Sequence, residues 1–271
     1  MTIPNADNNI ELSIVMPCLN EAETLKSCII KAKKYMHDNN VKGEIVIGDN
    51  GSTDGSQNIG KECGVRVINI SVKGYGSALI GAINAAHGKY VIMGDADDSY
   101  DFSNLNPFLE KLREGYDFVI GNRFKGGMQP EAMPFLNKYL GNPALSFIGQ
   151  LFIRSDIGDF HCGLRGFRQD MVRVLDLKTT GMEFASEMIV KATIQKFKIA
   201  EVPIIFSPDG RSRPSHLRPW RDGWRHLRFL MSYSPSIAFL VRELFFFAGG
   251  FAIRIIKKIK QIWPFGQKMQ K

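Results

Sequence analysis

Residues 94–102, Gly-Asp-Ala-Asp-Asp-Ser-Tyr-Asp-Phe, place Asp95 and Asp97 two positions apart, just beyond the apolar run Tyr90–Met93. On an extended chain, side chains two apart point to the same side. Two carboxylates aimed at one spot suit a hard divalent cation, and Mg²⁺ typically takes one or two protein carboxylates together with substrate phosphates. A solvated acidic turn has the same composition, so the neighbouring polar residues decide. Pro17, Asn20 and Glu21 follow the apolar run Leu12–Met16. Asp49, Asn50, Ser52 and Asp54 follow Glu44–Ile47, Lys73, Gly74 and Gly76 follow Val65–Ile70, and Asn122 and Arg123 follow Phe118–Ile120. Each of these types is also ordinary loop chemistry, and Asp54 equally suits a helix cap. Together, carboxylates with Lys73 and Arg123 around one crevice describe a nucleoside-diphosphate site with a metal. His161 adjoins Cys162, but no second pair completes a metal site, so it reads as a packed or hydrogen-bonded histidine.

The elements that would position these residues alternate. Apolar runs from Leu12 to Ile120 are separated by turns and helical stretches, with Leu25, Ile29, Ala32 and Met36 at helical spacing within Thr24–Met36. Such alternation predicts an α/β domain of right-handed βαβ units, with a mostly parallel sheet and helices on both faces. In that architecture ligands bind beyond the carboxyl ends of the strands. The second half is less regular. The pattern predicts helices over Lys138–Ile153 and Met182–Lys196, and a strand over Ala200–Phe206.

A chain of 271 residues with 44% hydrophobic content can bury a sizeable core. A polar tail, 1–10, precedes the folded domain expected over 11–233, and 234–271 is apolar and basic. Met1–Asn9 lacks the basic-then-apolar layout of a secretory signal. The four cysteines are scattered, which fits reduced thiols serving mostly as core fillers. Net charge is +8, and the excess gathers late, from Arg211 to Arg228 and from Arg254 to Lys271, beside the most apolar stretch. That pairing favours a membrane surface over nucleic acid, since aromatic and basic residues do not alternate as a base-stacking platform requires. Ile237–Val241 and Leu244–Ile253 are interrupted by Arg242 and Glu243, and neither run reaches the roughly 20 residues of a bilayer span. Interfacial helices at the cytoplasmic face of a membrane are expected there, with a homo-oligomer contact or a packed core helix as the alternative.

These motifs, in this order, resemble family 2 glycosyltransferases of the GT-A fold, in the branch of dolichyl-phosphate mannose synthase and bacterial polyprenyl-phosphate glycosyltransferases. The resemblance covers roughly Leu12 to Tyr233. It rests on Pro17-Cys18-Leu19-Asn20-Glu21, Asp49 to Asp54, Asp95-Ala96-Asp97, Gly121-Asn122-Arg123, Asp159 to Arg168 and Gly210 to Arg213. It implies inverting transfer of one sugar from a nucleotide-diphosphate sugar to a polyprenyl phosphate. Asp95 and Asp97 would hold Mg²⁺ or Mn²⁺, while Pro17, Leu19, Glu21, Asp49, Asn50, Lys73, Asp95, Ala96 and Arg213 would line the nucleotide-sugar site. Arg123, Arg165, Arg168 and Arg211 would receive the acceptor phosphate, with Asp97, Arg123, Asp159 and Arg165 at the chemistry. Asn50 departs from the paired aspartates usual in the second motif, and Leu19 from a frequent tyrosine, so the choice of UDP or GDP stays open. Two alternatives remain: a sugar-hydroxyl acceptor with Asp159 as general base, and a non-catalytic nucleotide-sugar-binding membrane protein.

Overall fold

The computed structural model describes residues 10–153, 155–213 and 218–233. The chain divides into two units, Met1–Leu230 and Met231–Lys271, and of the second only 231–233 are described. The apolar segment expected at the membrane, 235–262, therefore lies outside the described residues. Among those described, no helix is long and apolar enough to cross a membrane.

Four apolar runs form parallel strands: β1 (Leu12–Cys18), β2 (Gly43–Asp49), β3 (Arg66–Asn69) and β4 (Tyr90–Met93). They lie side by side in the order β3-β2-β1-β4. They are joined by α1 (Leu25–Asp38), α2 (Ser56–Glu62) and α3 (Tyr75–Ala85). Successive residues of β2, Ile47 and Gly48, show that both faces are covered. A β-carbon on Gly48 would meet Ala78 and Ala82 of α3, whereas Gly60 of α2 packs on Ile47. Strands covered on both faces read as continuous apolar runs rather than as alternating ones, which is why the sequence pattern located them.

Beyond β4 come α4 (Asn106–Arg113), β5 (Phe118–Asn122) and a short α5 (Arg123–Gly126). A π turn, Asn137–Gly141, leads into α6 (Asn142–Ile153). Then follow β6 (Arg165–Arg168), α7 (Gln169–Leu175), α8 (Phe184–Ile194), β7 (Ile199–Pro203) and α9 (Pro219–Ser232). The completed sheet has seven strands, β3-β2-β1-β4-β6-β5-β7, with β6 antiparallel to both neighbours. No strand is expected at β6 from sequence, because Arg-Gly-Phe-Arg carries no apolar run. The buried Arg165 occupies what would ordinarily be an apolar position. The last strand stops at Pro203, earlier than the apolar run suggests, and Phe206 beyond it only bridges to Tyr100 and Met128. Helix α8 is also buried more completely than an amphipathic pattern implies. Glu187 is 2% exposed and accepts from the backbone N–H groups of Lys178 and Thr179.

Candidate active site

The onward connections of β1 and β4 part company, since β1 leads to β2 on one side and β4 leads towards β5 on the other. Between their carboxyl ends lies the crevice where α/β sheets hold ligands. Three loops are stitched together across it. The Thr24 hydroxyl donates to the Ala96 carbonyl (2.6 Å), and the Gly210 N–H donates to the Asp97 carbonyl (2.8 Å). Asp97 Oδ1 accepts from the backbone and hydroxyl of Ser99 (3.1 and 2.6 Å), which turns Oδ2 towards Arg211 at 2.8 Å. Arg211 also pairs with Glu21 (3.2 Å) and Asp209 (3.0 Å). Asp95 Oδ1 accepts from the Tyr75 hydroxyl (2.8 Å). A β-carbon on Gly163 would stand 2.6 Å from Asp95 Oδ2, so any larger residue there would displace the carboxylate or the loop. Asp98 turns away from the pair, binding Ser27 and Lys31 of α1 with its backbone left-handed at φ 65°.

Burial, with Asp97 alongside, pushes the Asp95 carboxyl up to about 7, and the Tyr75 hydrogen bond and Arg211 offset only part of this. Burial likewise raises Glu21 against the pull of Arg211 and Arg213. Crowded, partly desolvated carboxylates are a donor set that a divalent cation relieves. Among the described residues no third His, Cys, Asp or Glu joins such a set. Two protein carboxylates are nonetheless the number Mg²⁺ commonly takes beside phosphates.

Two cavities meet at this pair. The first, about 420 Å³, is lined by Pro17, Leu19, Glu21, Asn50, Lys73, Asp95, Ala96, Asp97 and Arg211, all expected from sequence. It is also lined by Arg218, just before α9, and by Arg221 and Arg225 within it, which were read from sequence only as basic excess. Their spacing of three and four residues was the signal, since it puts them on one helix face. The second cavity, about 320 Å³, shares Tyr75, Asp95, Asp97, Met182, Arg211 and Asp222 with the first. It extends to Arg123, His161 and His226, with an apolar wall of Met133, Pro134 and Leu145.

Other expected residues sit behind these walls. Asp49, 1% exposed, accepts from the Gly51 and Ser52 N–H groups and from Gln57, so it shapes its own loop and does not line the cleft. Asn50 explains its departure from aspartate. Its Nδ2 donates to the carbonyls of Ile70 (3.0 Å) and Val72 (2.8 Å) while Oδ1 accepts from the Gly74 N–H (2.7 Å), and a carboxylate could not donate. Arg213 reaches the carbonyls of Leu19 and Asn20 and pairs with Glu21 (3.1 Å), bracing the first loop from behind.

Two arginines expected at the acceptor phosphate are placed elsewhere. Arg165 is fully buried and spends its guanidinium on the carbonyls of Phe160, Cys162 and Ala185. It holds a loop and touches neither cavity. Arg168 lies opposite Tyr90, where β4 begins, because β6 runs away from the site; it pairs with Asp117 and Asp170. Arg123 does line the second cavity, and its Nε and Nη2 grip both oxygens of Asp159 (2.7 and 2.8 Å). Asp159 is 0% exposed and absent from the cavity wall, so in this arrangement it is a counter-ion and not a base within reach of an acceptor.

The sequence model of Glycosyl transferase family 2 matches residues 13–175. The chain belongs to that family. It is 38% identical over 255 residues to the low-salt glycan biosynthesis hexosyltransferase Agl6 of Haloferax volcanii, covering 93% of this chain and 59% of that protein. The chain thus spans less than two thirds of that relative's length. A dolichyl-phosphate hexose transferase of the same organism is 29% identical, over 79% of this chain and 89% of that protein. The glucosyl-3-phosphoglycerate synthase of Mycobacterium tuberculosis, solved with Mn²⁺, UDP and glucosyl-3-phosphoglycerate, aligns with a TM-score of 0.63 and 19% identity. That alignment covers 85% of this chain and 82% of that one, and at this identity the likeness is one of fold. The family read from the motifs is borne out.

Proposed function

We propose that this family 2 glycosyltransferase moves a single hexose, with inversion, from a UDP- or GDP-linked sugar to a polyprenyl phosphate such as dolichyl or undecaprenyl phosphate, at the cytoplasmic face of a membrane. The observation that carries this reading is that two cavities share Asp95 and Asp97, while Asp159, the carboxylate a hydroxyl acceptor would need, is sealed behind Arg123. A phosphate monoester, with a second ionisation near pKa about 6, is largely dianionic at neutral pH and needs no base. One of its oxygens attacks the anomeric carbon as the bond to the nucleoside diphosphate breaks. Asp95 and Asp97 would hold Mg²⁺ or Mn²⁺, which when bound supplies a Lewis acid for the departing diphosphate. Lys73, Arg218 and Arg221 stand where the donor's phosphates need cations, arginine being suited to forked contacts.

The surface supports a lipid acceptor. Leu136, Leu140, Phe147 and Leu151 are 59–65% exposed, and their spacing puts them on one face of the helical stretch that also supplies Leu145 to the cavity wall. Trp220 and Trp224 of α9 are exposed as well. Exposed apolar stripes beside basic residues suit an interface with lipid. Relatives named for dolichyl phosphate support the same acceptor class. The deciding assay is sugar transfer to a short polyprenyl phosphate, with and without EDTA. Transfer should occur and stop in the chelator; full activity in EDTA removes the metal, and transfer confined to sugar hydroxyls removes the phosphate acceptor.

A further inference from the structure

His161 is alone among the described residues in having two buried side-chain polar atoms, Nδ1 and Nε2, without a hydrogen-bond partner. Leaving buried polar atoms unpaired is costly, and in a cavity wall it points to something that pairs with them when bound. The ring is nevertheless held from several directions. It packs edge-on to His226, with centroids 4.5 Å apart at 81°, and His226 Nδ1 shares a hydrogen bond with the Ser186 hydroxyl (2.8 Å). The backbone N–H of His161 donates to Asp159 Oδ1 (3.2 Å), the carboxylate that also grips Arg123. Arg165 ties down the carbonyls of Phe160 and Cys162 on either side. A side chain fixed this firmly, with both ring nitrogens left unpaired, is preorganised for a ligand.

The chemistry of the wall narrows that ligand. Burial, together with His226, Arg123 and Arg165, holds His161 well below its usual range, and burial brings His226 down to about 4. The ring is therefore neutral and offers one N–H. Arg123 has committed Nε and Nη2 to Asp159 and lines the same cavity. The same cavity also has an apolar part, Met133, Pro134 and Leu145. A group that carries both phosphate oxygens and hydrocarbon matches both parts of this lining.

We propose that His161 is an acceptor-recognition residue whose imidazole N–H binds a phosphate oxygen of the lipid acceptor, with His226 and Ser186 positioning the ring. This rests on the phosphate-acceptor reading above and assigns one contact within it. The test varies a short polyprenyl phosphate at saturating donor. His161→Phe should raise the acceptor KM by about 10- to 100-fold, the range expected for a hydrogen bond to a charged group, with donor KM and acceptor-free donor hydrolysis unchanged. His161→Gln, which keeps an N–H donor, should recover much of the loss. Ser186→Ala should move the acceptor KM the same way by a few-fold, which keeps the proposal testable if the phenylalanine variant folds poorly. Inorganic phosphate should compete with the acceptor in the wild type, and less well in His161→Phe, if the headgroup is what the ring reads. An unchanged acceptor KM in His161→Phe and Ser186→Ala, or a fall in kcat alone, overturns the assignment while the wild type still uses polyprenyl phosphate. A wild type that uses no polyprenyl phosphate overturns the functional reading and this contact with it.

Discussion

The two cavities that share Asp95 and Asp97 are built by different means. The first is made of strand-end loops held by polar side chains: Asp49 holds Gly51 and Ser52 within its own loop, and Asn50 ties that loop to the next one at Ile70, Val72 and Gly74. The second is assembled from distant pieces, with Arg123 on Asp159, His161 on His226 and Phe206 under the Arg123 guanidinium at 5.2 Å. The first is polar and lined with cationic side chains. The second depends on one buried ion pair and an apolar wall. Damage to the first should therefore appear in donor binding, and damage to the second in folding and acceptor use.

The largest expected effect falls where the cavities join. Asp97→Ala removes one of the two carboxylates and, among the described residues, one of the three ion-pair partners of Arg211, and should lower transfer and acceptor-free donor hydrolysis together by on the order of 10³-fold, equivalent to about 4 kcal/mol. Measured turnover within tenfold of wild type would separate the acidic pair from the chemistry. Next comes the buried pair of the second cavity. Arg123→Gln strands the Asp159 charge, and loss of one partner of a buried ion pair costs about 3–5 kcal/mol. The double variant Arg123→Gln/Asp159→Asn should regain part of that in urea denaturation. For the same reason Asp159→Asn alone cannot separate a phosphate from a hydroxyl acceptor, because it disturbs Arg123 as well. Equal stability of the single and double variants would break the contrast between the cavities.

What was legible in the sequence follows the same divide. Strands buried on both faces print apolar runs, and the residues at their ends stay adjacent to them, so Pro17, Glu21, Lys73, Asp95 and Asp97 were placed correctly at one edge. The geometry of β6 was not legible, because a buried arginine paid in backbone carbonyls leaves no apolar signature. Arg165 and Arg168 consequently looked like phosphate ligands when one staples a loop and the other lies at the far end of the sheet. The α9 arginines failed for another reason. Charge alone does not say which surface a helix shows its basic face to, and here Arg218, Arg221 and Arg225 face the first cavity.

Two smaller effects sharpen the picture of the first cavity. Asn50→Asp keeps the shape but loses both N–H donors, leaving the carbonyls of Ile70 and Val72 without them. It should cost about 1–3 kcal/mol and weaken donor binding through the Lys73 loop, seen together as a lower urea midpoint and a raised donor KM. A variant as stable as wild type would mean the amide is not what holds that loop.

The smallest effect asks whether α9 serves the donor or a membrane. Arg218 and Arg221 line the first cavity, and their side chains form no ion pair among the described residues, whereas Arg225 is paired with Glu183. Unpaired, exposed arginines contribute little to stability, so Arg218→Gln/Arg221→Gln should unfold like the wild type. Two charge-assisted contacts to a diphosphate should still be worth about tenfold in donor KM. Arg228→Gln, on the same helix but away from the cavity, is the matched control and should leave donor KM unchanged. If all three substitutions left donor KM alone and equally reduced binding to anionic vesicles, the basic face of α9 would belong to the lipid surface, and the first cavity would hold its diphosphate with Lys73 and Arg211 instead.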